Sequence, residues 1–510
     1  MISRRTALKG LLATTAMTGS GLLLHDFFQS ETAARDFSNP LALPPLQTPR
    51  KENGVSIFDL SMQEGTSQLL PGVSTPTLGI NGQFLGPTLK LTKGEKTRFN
   101  VTNKLKEPTT LHWHGLHLPA RDDGGPHQVI APGKTWSPEF RIDNEAATYW
   151  YHSHMMHKTG EQVWKGLAGL MVIEDENSAS LELPDQYGVD DIPLVLQDRR
   201  FNSDGQLQYL SSMPDVMRGM RGDIMLINGT VKPHFTATTK KLRLRILNGS
   251  NARYYNLGFS DNRPFHHIAT DGGLLQKPRQ TNRLPLAPGE RCEIIVEITP
   301  DIITVLQSYR VPQNGGMMGG GMGMMGRMMS GGSGLLDDGE SFDLLEIRPS
   351  ANLGGSPGLP VQLVKRPLLD PRTAAVKRRF VLQMRMGPGM MMGGGNTERF
   401  AINGKSMDMN RIDETIKLGD TEIWEIVNMS PMSHPFHIHM VQFQILDRNG
   451  RPPLAHETGP KDTVTVGHME RVRVIAKFEN HADAERPYMY HCHILEHEDA
   501  GMMGQFIVRA

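Results

Sequence analysis

Cys492 stands between His491 and His493, and His497 and Met502 follow at five and ten residues. Successive side chains on a strand point to opposite faces, so the two histidines point one way and the thiol the other. One covalent segment can therefore serve two metal positions. Two histidines, a thiolate and a weak thioether make up a blue-copper electron-transfer site. Met503 is a rival thioether to Met502, and the spacing to His497 favours Met502. Further imidazoles occur at His112-Trp-His114, His152-Ser-His154 and His434-Pro-Phe-His437-Ile-His439. Each His-X-His presents two imidazoles on one face of a strand. With His434 and His497 reserved for the Cys492 copper, four His pairs remain, which suits a cluster of three further metals.

On these motifs the chain resembles the multicopper oxidases, the family of laccases, ascorbate oxidases and bacterial cuprous oxidases. The likeness runs from about residue 45 to the C-terminus and is strongest to the periplasmic cuprous oxidases. It implies four copper ions per chain. His434, Cys492, His497 and Met502 match the type 1 ligands, and His112 and His437 the type 2 ligands. His114, His152, His154, His439, His491 and His493 match the type 3 pair. The family includes copper-free relatives with degraded motifs, but here no ligand position is missing. Asp123 and Glu498 match acidic positions that the family uses as proton donors and water orienters. Met432, two residues before His434, matches a substrate-copper ligand, whereas the acidic residue that cuprous oxidases carry four before His434 is Ser430 here.

Methionine makes up 31 of the 510 residues. Met317, Met318, Met322, Met324, Met325, Met328 and Met329 crowd one Gly-rich loop; Met384, Met386, Met390, Met391 and Met392 form a second cluster. Embedded in glycine, they cannot pack as a core, and thioethers are soft ligands that select Cu(I). The plainer alternatives are a flexible low-complexity loop or a sink for oxidants through methionine sulfoxide. The expected activity is Cu(I) oxidation for copper tolerance, with four-electron reduction of O2 to water. The alternatives are a laccase-like oxidase of phenols or diamines, or of Fe(II) or Mn(II), and an exported copper-storage or structural protein.

The elements that must position these residues are strands: short β-branched runs punctuated by Gly, Pro, Asn and Asp. Asn81-Gly82, Asn228-Gly229 and Asn403-Gly404 each open a similar unit, closed by an alternating strand ending at Asn103, Asn248 and Asn428. The repeat predicts three tandem β domains, consistent with the family's cupredoxin-like Greek-key barrels. The expected bounds are 45–178, 190–348 and 375–510. Only the first and third repeats carry His-X-His after the closing Asn, so the cluster is expected between them, with the middle domain as a spacer. Residues 1–34, with Arg4-Arg5 before a short apolar run, read as a twin-arginine signal peptide and a periplasmic destination. The run is too short to span a bilayer. Charge is balanced, with 54 basic and 54 acidic residues, so no basic field invites nucleic acid. The second cysteine, Cys292, sits in a strand-like run as a small buried hydrophobe, which leaves no disulfide framework. A monomer is expected.

Overall fold

The three Asn-Gly units build the same local structure three times. In the computed structural model, which describes residues 36–311, 340–384 and 400–510, Asn81, Asn228 and Asn403 take φ of 54°, 51° and 52°. This is the left-handed region that Asn tolerates better than most side chains. Each amide then clamps a strand: Oδ1 accepts from the N–H of Ser61, Val195 and Val381, and Nδ2 donates to the carbonyl two residues earlier, at Asp59, Pro193 and Arg379. The closing asparagines repeat a second pattern. Asn103, Asn248 and Asn428 accept at Oδ1 from the N–H two residues on and donate across to Ile130, Leu286 and Val466. In each unit the closing strand runs parallel to the clamped one: Lys96–Asn103 beside Val55–Leu70, Lys241–Asn248 beside Asp191–Arg199, and Thr421–Asn428 beside Val376–Met384.

Two sheets close around each unit's own apolar core, giving an all-β chain of three cupredoxin-like barrels. Phe58, Phe99 and Trp113 fill the first, Leu244, Ile246 and Tyr255 the second, and Trp424, Phe436 and Phe506 the third. Emptying such a position, as in Trp424→Ala, costs about 3–5 kcal/mol. Asn39–Pro40 pairs with the middle barrel at Pro233 and His234, so the chain touches the second barrel before building the first. The last strand of the middle barrel, Phe342–Gly354, lies against Pro233–Thr239. Residues Phe37–Ala510 form one unit. No helix among the described residues is long and apolar enough to cross a membrane.

Candidate metal centre

Strand alternation sorts the third barrel's ligand candidates into two places. On His434–Ile438, His434 shares a face with Phe436 and Ile438, which belong to the barrel core; His437 has the other face. The partner strand Asp483–Cys492 sets Cys492 opposite Phe436 and His491 opposite His437. The thiol therefore points into the barrel and the flanking imidazole points out of it, toward the first barrel. In the first barrel, His112–His114 pairs with Ala147–His152 so that His112 faces His152. Trp113, between the two imidazoles, is buried in the core against Phe99.

Inside the third barrel, Cys492 Sγ lies 3.3 Å from His434 Nδ1 and 3.7 Å from His497 Nδ1. The two imidazole nitrogens are 3.3 Å apart. Met502 packs in the same core cluster as Cys492, whereas Met503 pairs with His491 in the strand ladder. Burial pushes the Cys492 thiol up and His434 down to about 3. The imidazoles are therefore neutral donors, and a cation is what would stabilise the thiolate. Each outward nitrogen already has a partner. His434 Nε2 donates to Ser430 Oγ at 2.6 Å, and His497 Nε2 to the Met217 carbonyl at 3.2 Å. Met217 lies in a short helix, Met213–Arg218, of the middle barrel.

Between the first and third barrels, His154 and His439 each bring Nε2 within 3.3 and 3.2 Å of His491 Nε2. His114 Nδ1 lies 3.4 Å from His152 Nε2. His112 and His437 donate through Nδ1 to the carbonyls of Asp123 and Asp462, leaving Nε2 buried with no partner among the described residues. His493 has no partner at either nitrogen among the described residues. Buried, neutral, unpaired imidazole nitrogens gathered in one place are the donor set of a metal cluster, and imidazole with thiolate suits copper. The residues fit the group that the resemblance implies.

Two carboxylates stand behind the imidazoles. Asp123 Oδ2 accepts from His439 Nδ1 at 2.8 Å, and burial holds this carboxyl well above the usual range. Glu498 places Oε1 and Oε2 each 3.2 Å from His154 Nδ1 and His491 Nδ1. Burial pushes Glu498 up, but the facing imidazoles outweigh it and draw the group down to about 2. Of the methionine candidates, Met384 and Met432 pack half-buried against the third core. Met317, Met318, Met322, Met324, Met325, Met328, Met329, Met386, Met390, Met391 and Met392 lie outside the described residues. Cys292 is buried and free, as is Cys492.

The middle barrel is more than the spacer expected from the sequence. Besides the Met217 carbonyl, it supplies Arg291, whose guanidinium reaches Asp462 beside the cluster. The nearest sequence signal for these residues is the charged run Lys461-Asp462, which no motif singles out.

Comparison with known proteins places the arrangement. Multicopper oxidase family profiles match residues 61–178 and 382–510. The chain is 37% identical over 475 residues to the Staphylococcus aureus multicopper oxidase mco, covering 92% of each. It is 34% identical to the cell division protein FtsP of Photorhabdus laumondii, covering 93% of each. The solved laccase-like multicopper oxidase CueO of an Ochrobactrum species, described as active towards lignin model compounds and lignosulfonate, superposes with a TM-score of 0.81. That pair is 39% identical, covering 92% of this chain and all of the other.

Proposed function

Since the chain belongs to the multicopper oxidase family, we propose that it oxidises Cu(I) to Cu(II) one electron at a time and reduces dioxygen to water. As a member of that family the chain is a copper-dependent oxidoreductase that uses O2 and a reducing substrate. In our reading four coppers are held, by His434, Cys492, His497 and Met502; by His112 and His437; and as a pair by His114, His152, His154, His439, His491 and His493. Bound copper supplies one-electron acceptance at the thiolate and four-electron delivery to oxygen at the cluster. The chain does the rest. Cys492 is joined covalently to His491 and His493, so with copper bound this segment would offer electrons a path of a few main-chain bonds from the thiolate to the cluster. Asp123 accepts from His439 Nδ1 through Oδ2, and burial raises its carboxyl, so in this reading the group takes up and passes on protons beside the cluster. Glu498 stays anionic, and its charge 3.2 Å from the Nδ1 atoms of His154 and His491 favours their protons there, with the Cys492 carbonyl also accepting from His491 Nδ1, which leaves each Nε2 as the donor. The same reading takes 45–178, 190–348 and 375–510 as domains, residues 1–34 as a twin-arginine signal, the periplasm as destination and a monomer as the working form.

One observation supports Cu(I) over organic substrates. Thioethers border the third core: Met384, Met432 and Met217, whose carbonyl accepts from His497 Nε2, pack half-buried against the cluster that contains Cys492, and Met429 is 52% exposed. Soft donors at that surface favour Cu(I). The second reading, a laccase-like oxidase of phenols, diamines, Fe(II) or Mn(II), draws on the activity described for the Ochrobactrum relative and on Ser430 where a carboxylate is expected. Oxygen uptake separates the two, measured with Cu(I) and with a bulky phenol on the intact protein and on one with 317–329 and 384–392 shortened. Shortening should weaken Cu(I) oxidation through its apparent affinity and leave phenol oxidation unchanged or raised. No loss with Cu(I) would put the laccase reading first.

A further inference from the structure

The middle barrel carries none of the proposed ligands, yet its Arg291 reaches the cluster. Arg291 is fully buried, and Nη1 and Nη2 donate to Asp462 Oδ1 and Oδ2 at 2.8 and 2.5 Å. Asp462 Oδ1 in turn lies 3.1 Å from His114 Nε2, and the Asp462 carbonyl accepts from His437 Nδ1 at 2.8 Å. One residue thus touches an imidazole of the first barrel with its side chain and one of the third with its main chain. The guanidinium is itself held in place. It donates to the Gly289 and Asp271 carbonyls, and the Asp271 carboxylate takes Lys461 Nζ at 2.9 Å.

This geometry decides which nitrogens face inward. An ionised carboxylate only accepts, so His114 carries its proton on Nε2 and turns its Nδ1 lone pair toward His152. His154, His439 and His491 do the reverse and meet through Nε2. His437 is fixed the opposite way from His114, with Nδ1–H on the Asp462 carbonyl and Nε2 free. Asp462 lies close enough to His114 and His437 to be taken for a ligand itself. Both its oxygens, however, are engaged by Arg291, whose charge would repel a metal ion there.

We propose that Asp462 and Arg291 are positioning residues of the metal cluster: Asp462 fixes the donor nitrogens of His114 and His437, and Arg291 fixes Asp462 from the middle barrel. The proposal rests on the ligand set given under the proposed function. It makes the middle barrel part of the site, since the cluster takes its final shape only when all three barrels are docked.

The test is copper retention by the loaded protein, its Asp462→Asn variant, Arg291→Met and Arg291→Lys, under rising concentrations of a competing chelator. Copper per chain is counted, and the blue band and paramagnetic resonance separate thiolate-site copper from cluster copper. Losing an outer partner of a metal-bound imidazole costs about 10–100-fold in affinity. Asp462→Asn and Arg291→Met should therefore lose cluster copper at a correspondingly lower chelator concentration while the blue band persists. Arg291→Lys, which can still reach one carboxylate oxygen, should lie between them and the parent. Should Arg291→Met not fold, the other two variants decide. Retention curves matching the parent, with only a lowered thermal midpoint, would reduce the pair to a structural strut and overturn the proposal. Parallel loss of blue and cluster copper would overturn it too, as general unfolding. His114→Ala keeping its full cluster copper would instead strike the ligand set, not the positioning.

Discussion

Cys492 separates two chemistries within one residue's length. Its side chain lies among Phe436, Ile438 and Met502 in the third core, while His491 and His493 on either side face the first barrel. Cys492→Ser should accordingly abolish the blue absorption and substrate oxidation while the cluster stays loaded, leaving about three coppers per chain against the four that we propose for the parent. A blue band that survives the change, measured alongside copper content, would remove Cys492 from the site. These residues were legible because thiol and imidazoles stand together in one short segment and strand alternation gives their directions. Asp462 was not. It meets His114 across 348 residues, and nothing in a Lys-Asp-Thr run tells a cluster partner from a solvated charge.

At the scale of elements, the short helix Leu495–Asp499 carries His497 and is gripped from both other barrels. Glu496 accepts from Asn251 Nδ2 at 2.7 Å, the Met220 N–H at 2.8 Å and Tyr209 Oη at 3.1 Å, all in the middle barrel. Asp499 takes the Thr159 and Gly160 N–H groups of the first barrel's Thr159–Lys165 helix, at 3.0 and 2.8 Å. Glu496→Ala would leave three donors facing a void, and a single buried donor without a partner costs about 1–3 kcal/mol. We expect a thermal midpoint lower by several degrees with the blue band intact, because His434, Cys492 and Met502 are anchored elsewhere. An unchanged midpoint would show that the grip on Glu496 contributes nothing. The sequence announced the strands of each repeat but not this helix, since five residues carry too little periodicity to mark one.

Over the whole molecule, the three Asn-Gly repeats foretold three barrels, but how the barrels share work follows from docking, which no local pattern encodes. Docking also buries imidazoles that bind no copper in our reading. Burial lowers His117 to about 4 in the first barrel, His267 to about 3 in the second and His456 to about 4 in the third. The unfolded chain takes a proton at each of these below about 6.5 while the folded chain does not. Each therefore lends stability that is complete above 6.5 and is lost as pH falls toward its folded value, by up to about 1.4 kcal/mol per pH unit. Glu496, which burial pushes up to about 6, works against them, taking its proton first in the folded state and offsetting part of the slope. Carboxylates that the fold draws down, such as Glu293 beside Arg243 and Arg245, at about 2, matter only below about 4.5, so the window between separates the imidazoles from them. His267 donates Nε2–H to the Ala269 carbonyl at 2.7 Å, a bond that a glutamine amide can replace. Denaturant midpoints of the copper-loaded parent and of His267→Gln, taken from pH 7 to 4.5, should therefore diverge. The variant should lose stability less steeply by up to one proton's worth. Parallel curves would mean that His267 gains its proton as readily folded as unfolded, and that burial in the middle barrel does not govern its titration.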